Sequence, residues 1–340
     1  MIIRSRAPVR ISFGGGGTDV SPYTEQFGGC ALNAAIRHYA WATLESRTDG
    51  IIRLVSDDLG ESVEYDSQKR IGYDGKLDLL KAVVNAFPRV LSGFTLFLRS
   101  DVPPRSGLGG SASAFVAVIG VFDYLLKDER QSAYEIAEMA FRLEREVLKI
   151  KGGRQDQYAT VFGDVNFIEF KGNDFVRVNP LRLQPDFLLE LEKHLILIQV
   201  PGEREVSHHV IEDQVNQMQQ SKSLSLSALH ETKRIAYEMK KALLRGDLEA
   251  FGSLLGRAWD EKKKFSKLIS NPIIDEIYEC ATANGAISGK ITGAGGGGHM
   301  LFFCKPNTEH RVTMALEKMG ARAVDMQFDT QGLQVWTAPQ

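Results

Sequence analysis

Pro103-Pro104-Arg105-Ser106-Gly107-Leu108-Gly109-Gly110-Ser111-Ala112-Ser113 is the stretch whose reading decides the fold. It opens on two prolines and passes through three glycines and small hydroxyl residues. It then runs into an apolar segment in which Ala112, Phe115, Val116, Ile119 and Phe122 recur at helical spacing. The spacing predicts a buried helix whose first N–H groups lack carbonyl partners and whose dipole favours negative charge. Glycine lets those amides approach a ligand with no Cβ in the way. The stretch therefore reads as an anion cradle. It has neither the lysine nor the spacing of G-x-x-x-x-G-K-[ST], and the H-R-D and D-F-G companions of a protein kinase are missing; Asp174-Phe175-Val176 stops short of the second.

Gly14-Gly15-Gly16-Gly17 and Gly293-Ala294-Gly295-Gly296-Gly297-Gly298 lie hard against apolar segments, as tight loops in folded units do and linkers do not. The second contains the spacing G-x-G-x-x-G of a dinucleotide site. Such a site needs a helix straight after the loop, whereas His299-Met300-Leu301-Phe302-Phe303 reads as a strand, so this loop is assigned to closing over or bracing the first cradle. Further strands are predicted over Val9–Phe13, Cys30–Ser46, Ile51–Val55, Ser62–Tyr65 and Phe94–Leu98, with helices over Lys76–Val90 and Ala133–Lys149. From His194 the pattern restarts: strand Leu195–Val200, helices to about Asn284, strand Ala286–Ile291, strand His299–Phe303, helix Thr308–Met319 and two short strands. The chain is thus expected to form two α+β domains, 1–190 and 191–340.

Of 340 residues, 43% are hydrophobic and 25% charged, which excludes disordered and fibrous classes. Lys+Arg 41 against Asp+Glu 43 leaves a net charge of -2, so no overall basic field draws nucleic acid or an anionic membrane, and an anionic ligand must be held locally. Cys30, Cys280 and Cys304 show no CxxC spacing, which argues against a disulfide framework or a thiolate zinc site. The first residues lack the apolar core of a signal peptide. The longest mostly apolar stretch, Ala112–Phe122, is shorter than a bilayer crossing, so a cytoplasmic protein with no membrane or nucleic-acid partner is expected.

Asp156 stands in Lys151-Gly152-Gly153-Arg154-Gln155-Asp156-Gln157-Tyr158-Ala159. A carboxylate there either accepts a proton from a hydroxyl nucleophile or caps the next helix. Glu144-Arg145-Glu146 is either a solvated helix face or the source of a metal ligand, and Lys262-Lys263-Lys264 either a solvated face or part of an anion site. His208 and His209 point apart on a helix, which suits surface or sugar contact better than a metal.

In order and spacing the three loops resemble those of the GHMP kinases, the superfamily of galactokinase, homoserine kinase, mevalonate kinase and phosphomevalonate kinase. Arg6-Ala7-Pro8-Val9-Arg10-Ile11-Ser12-Phe13-Gly14-Gly15-Gly16-Gly17-Thr18-Asp19 looks like the first motif, Pro103–Ser113 the second and Lys290–Gly298 the third. Within that superfamily, Arg6–Asp19, Gly152–Ala159, Trp259–Lys262 and Ile269–Glu276 are most similar to the D-glycero-D-manno-heptose 7-phosphate kinases. The resemblance implies an α+β, two-domain fold: an N-terminal domain like ribosomal protein S5 domain 2, a ferredoxin-like C-terminal domain and a site between them. It implies ATP and Mg2+, and phosphate transfer to the anomeric hydroxyl of a heptose 7-phosphate, a small sugar phosphate.

By the same resemblance, Asp156 matches the catalytic aspartate and Arg10 the basic residue that lowers the hydroxyl's pKa. Pro104, Ser106, Gly107, Leu108, Gly109, Gly110, Ser111, Ala112 and Ser113, with Gly295 and Gly296, match nucleotide-binding positions. Ser111 and Glu144 match metal ligands, with Glu146 as the competing neighbour. Gly16, Gly17, Thr18, Asp19 and Arg154 fall to the acceptor. Galactokinases carry Glu-His where Gly16-Gly17 stand, which argues against galactose. Arg37, Arg154, Lys262, Lys263 and Lys264 are the candidates for the acceptor's own phosphate, since a guanidinium fork or an ammonium suits it. A kinase for another sugar, such as L-fucose or a different heptose phosphate, and a sugar-phosphate or nucleotide sensor that binds without turnover are the alternatives; monomer and homodimer both stay open.

Overall fold

β1 (Ile2–Gly14) alternates buried and exposed residues at its start and is then buried on both faces. In this computed structural model, which describes residues 1–88, 93–172, 174–202, 207–220 and 224–339, that change marks where the strand leaves a one-sided sheet and enters the middle of the molecule. There follow α1 (Tyr23–Phe27), β2 (Gly29–Ser46), β3 (Ile51–Ser56), β4 (Glu61–Asp66), α2 (Asp78–Ala86), β5 (Phe94–Ser100) and α3 (Gly110–Asp123). A 3-10 turn (Tyr124–Glu129), α4 (Ala133–Arg142), a π turn (Leu143–Val147), α5 (Gln155–Phe162), β6 (Val165–Lys171) and β7 (Phe175–Pro180) complete the first part. The second part holds α6 (Pro185–His194), β8 (Leu195–Gln199), α7 (Ser207–Gln220), α8 (Leu224–Arg245), α9 (Leu248–Lys263), α10 (Pro272–Asn284), β9 (Ala286–Ile291), β10 (His299–Cys304), α11 (Glu309–Glu317), β11 (Arg322–Val324) and β12 (Gln334–Thr337).

The larger sheet runs β12-β1-β2-β5-β3-β4, with β6 beside β2 and β7 beside β6. β2 serves two partners along its length: β6 along Gly29–Ala34 and β5 along Ala40–Ser46. The smaller sheet, β11-β8-β10-β9, is antiparallel throughout. A division at residue 190 therefore separates the two sheets except for β12, which returns from the end of the chain to pair with Ile3–Arg6 of β1. One of three apolar clusters spans the division, joining Val9, Ile11 and Phe13 of β1 to Ile235, Phe251 and Leu301.

Two helices differ from expectation. α2 begins at Asp78, because Leu77 is left-handed at φ 51°, and Arg89 and Val90 of the expected span lie outside the described residues. The helix expected over Ala133–Lys149 changes to a π turn after Arg142 and is ended by Lys149 at φ 57°. The apolar helix is also longer than its core suggested. Gly110–Lys127 has the length and composition to cross a membrane, but every residue from Ala112 to Asp123 is buried against the protein itself.

Candidate active site

α3 starts with Gly109 as its left-handed N-cap, without a side-chain cap and without an acid in its first turn. Its free amides are therefore left to an outside partner, and anions are favoured there. Gly107, Gly109, Gly110 and Ser111 line a cavity of about 600 Å³ that also receives Gly14–Gly17, Asp19, Asp156, Lys262 and Lys290. The cradle and the carboxylate of α5 thus open into one space.

Asp156 does not cap its helix. Arg10, carried on the doubly buried half of β1, donates from Nε to Oδ1 at 2.8 Å and from Nη2 to Oδ2 at 2.7 Å, and from Nη1 to the Gly107 carbonyl at 2.8 Å. This two-point pair fixes the carboxylate in the plane of the guanidinium. Arg10 is 4% exposed and Asp156 21%, so the acid faces the cavity from a buried support.

The π turn sets the two glutamates apart. Glu144 is buried on it and bonded to Ser111 Oγ, while Gln157 Nε2 donates to its other oxygen at 2.6 Å and Arg145 lies 3.3 Å away; Glu146 is exposed. Asp19 is equally enclosed: Gly17 N donates to Oδ1 at 3.0 Å, and Gln155 donates from N and Nε2 to Oδ2, each at 3.2 Å. Burial, and after it the charge of Asp156, push the Asp19 carboxyl above the usual range. Gly153 is required here, since a Cβ on it would stand 2.0 Å from Asp19 Oδ2.

The third glycine loop braces the second. A Cβ on Gly293 would stand 2.7 Å from the Gly107 carbonyl oxygen, His299 Nδ1 donates to the Ser106 carbonyl at 2.7 Å, and Lys262 Nζ donates to the Gly293 carbonyl at 2.8 Å. Gly293 and Ala294 reach the cavity, whereas Gly295 and Gly296 lie behind it against Ile269.

Several expected contact residues sit in the wall rather than on it. Leu108, Ala112 and Ser113 are buried behind the cradle, Ser113 Oγ donating to the Ala7 carbonyl at 2.6 Å. Thr18 Oγ1, with one hydrogen to share between the Gly15 and Cys30 carbonyls at 2.8 and 2.9 Å, also accepts from Cys30 N at 3.0 Å and so ties the first loop to β2. Arg154 turns away to Glu138 at 2.6 Å and lies over the Phe141 ring, because α4 offers it an acid and an aromatic face. Of the three consecutive lysines only Lys262 lines the cavity; Lys263 pairs with Asp260 of its own helix, Lys264, just past the end of α9, pairs with Glu261, and Arg37 is exposed beside Gln327. His209 is exposed and the side chain of His208 lies outside those described. Pro104, Ser106, Gly16 and Gly17 do line the cavity.

The family description "GHMP kinases N terminal domain" matches residues 78–164 and "GHMP kinases C terminal" matches residues 239–322. A D-glycero-alpha-D-manno-heptose 7-phosphate kinase of Campylobacter jejuni is 40% identical over 98% of both chains. The chain belongs to the GHMP kinase family. It is accordingly a kinase, and ATP is the phosphate donor in this family. A crystal structure from Campylobacter jejuni superposes with a TM-score of 0.82 at 40% identity, covering 98% of each chain. That of a D-glycero-D-manno-heptose 1-phosphate kinase from Bacteroides thetaiotaomicron superposes at 0.84 with 32% identity, covering 99% of this chain and 100% of that one.

Gln155, Gln157, Lys290 and His299 were given no role by sequence reasoning. The two glutamines flank Asp156 at the start of α5, and two long amides on either side of a candidate carboxylate were a usable signal. Lys290 and His299 sit at the ends of a strand–loop–strand, and nothing in that pattern says that they face the cradle.

Proposed function

We propose that this GHMP kinase transfers the terminal phosphoryl group of ATP to the anomeric hydroxyl of D-glycero-D-manno-heptose 7-phosphate. The observation that carries this reading is the cavity shared by the uncapped start of α3 and an Asp156 held by Arg10, so that donor and acceptor meet across one gap. The heptose is supported by the full-length similarity to the Campylobacter jejuni kinase named for that substrate.

In this reading the amides of Gly109–Ser111 bind the triphosphate tail. Asp156 accepts a hydrogen bond from the acceptor hydroxyl and aligns its oxygen, while the Arg10 guanidinium steadies the charge that develops there. Asp19 and the backbone of Gly16–Gly17 hold the sugar. Ser111 and Glu144 fit Mg2+ as hard oxygen donors beside the cradle, an ion that keeps waters and phosphate oxygens for the rest of its ligands. When bound, the ion offsets negative charge on the phosphates.

The test is ADP release with the heptose 7-phosphate, its 1-phosphate isomer and L-fucose as acceptors, followed by NMR location of the new ester. The 7-phosphate should give the highest kcat/KM, with the ester at C1. Preference for the 1-phosphate, the substrate named for the Bacteroides thetaiotaomicron protein, would replace the acceptor in this proposal.

A further inference from the structure

Gln155 opens α5 between the acid and the first glycine loop. It is 7% exposed and lines the cavity. Its Nε2 donates to Asp19 Oδ2 at 3.2 Å, beside the donation from its own backbone N to the same oxygen, and a Cβ on Gly16 would stand 3.2 Å from that Nε2. These contacts fix which way round the amide lies. Turned over, it would set its oxygen against a carboxylate oxygen, two acceptors face to face.

With its nitrogen given to Asp19, the amide is left with Oε1, which is buried and meets no donor among the described residues. A buried carbonyl oxygen is costly to leave unmet. The adjoining acids have no hydrogen to offer it: Asp19 accepts from Gly17 N on Oδ1 and from both Gln155 donors on Oδ2, and Asp156 accepts from Arg10 on both oxygens. The wall around the start of α5 thus presents three acceptors, the Asp19 and Asp156 carboxylates and the Gln155 amide oxygen. It calls for O–H groups on whatever enters.

Under the reading above, Asp156 takes the reacting anomeric hydroxyl. Gln155 directly precedes Asp156, so a hydroxyl that it meets lies close to the reacting one. The anomeric carbon has two ring neighbours: the ring oxygen, which has no hydrogen to give, and C2, which carries a hydroxyl. We propose that Gln155 Oε1 accepts a hydrogen bond from the C2 hydroxyl of the acceptor and makes the kinase selective for sugars that carry one, Asp19 keeping the amide turned with its oxygen to the sugar. This rests on the anomeric hydroxyl of a heptose 7-phosphate being the acceptor.

The experiment compares kcat/KM for D-glycero-D-manno-heptose 7-phosphate and its 2-deoxy analogue in wild type and in Gln155→Met, which keeps the length of the side chain and removes its amide. Wild type should favour the parent sugar about tenfold or more, and the variant should lose most of that preference, because an unmet buried acceptor is what penalises the analogue. A general loosening of Asp19 lowers both sugars alike and leaves their ratio where it was, so a merely structural Gln155 is told apart. An unchanged ratio in Gln155→Met, or no preference in wild type, overturns the role of Gln155 while the heptose reading stands; no turnover of the parent sugar by wild type overturns both. The 2-deoxy-2-fluoro analogue gives a second readout that needs no variant. Fluorine cannot donate, so calorimetry should show this analogue binding wild type as poorly as the 2-deoxy sugar does. Binding as tight as that of the parent means that the wall gives a hydrogen to this position instead of taking one, and overturns the proposal.

Discussion

Asp156 meets Arg10 through both carboxylate oxygens, and Arg10 also holds the Gly107 carbonyl, so one guanidinium ties the acid to the phosphate loop. Asp156→Asn keeps the shape and removes the charge; turnover should fall at least ~100-fold, the lower end of a positioned acid–base group, and the melting temperature should fall too, because buried Arg10 loses its counter-charge and meets an amide donor where it had an acceptor. Near-normal turnover would take Asp156 out of the chemistry. Glu144 and Glu146 divide as cleanly. Glu144→Ala should raise the magnesium concentration needed for half-maximal rate about tenfold or more, whereas Glu146→Ala, an exposed position, should leave a magnesium titration unmoved. A matching rise in both variants would remove Glu144 as the ligand.

The glycine loops act as a pair. Gly293 adopts φ 71°, and a Cβ on it would stand 2.7 Å from the Gly107 carbonyl, the same oxygen that Arg10 holds. Gly293→Ala therefore combines a left-handed backbone cost of roughly 1–2 kcal/mol with displacement of the cradle. Gly60→Ala is the control: φ is 62° and nothing lies within 4 Å of the new methyl. Both variants should melt lower, but only Gly293→Ala should raise the KM for ATP. An unchanged KM would show that the third loop does not position the second.

At the scale of the molecule, a strand from the far end of the chain closes the edge of the larger sheet behind α3. β12 pairs with the edge of β1, and Leu333 and Val335 cover Gly120 of α3, within 3.0–3.1 Å of where its Cβ would be. A chain ended at Val324 should expose that edge and the α3 face, lowering the melting point and promoting association seen in sedimentation. Melting and sedimentation like those of the full chain would show that β12 is dispensable. The apolar cluster that joins β1 to α8, α9 and β10 likewise makes the two sheets one packed body, with the cavity at their junction.

The sequence by itself determined the three glycine loops, the buried helix behind the central one, most strands and the family, because these are written in local spacing and in residue types with few conformational alternatives. Tertiary structure alone decided which side chains face the cavity. Arg10 and Asp156 stand 146 positions apart, and Lys290 and Ser12 278 apart; contacts at that separation leave no periodic trace in the chain. Thr18 and Arg154 were expected at the acceptor, and they turned away because Cys30 and Glu138, supplied by other elements, satisfy their polar atoms better than open cavity does. The glutamate pair was ambiguous for the same reason: a π turn, set by packing and not by composition, turned one of two neighbouring acids inward.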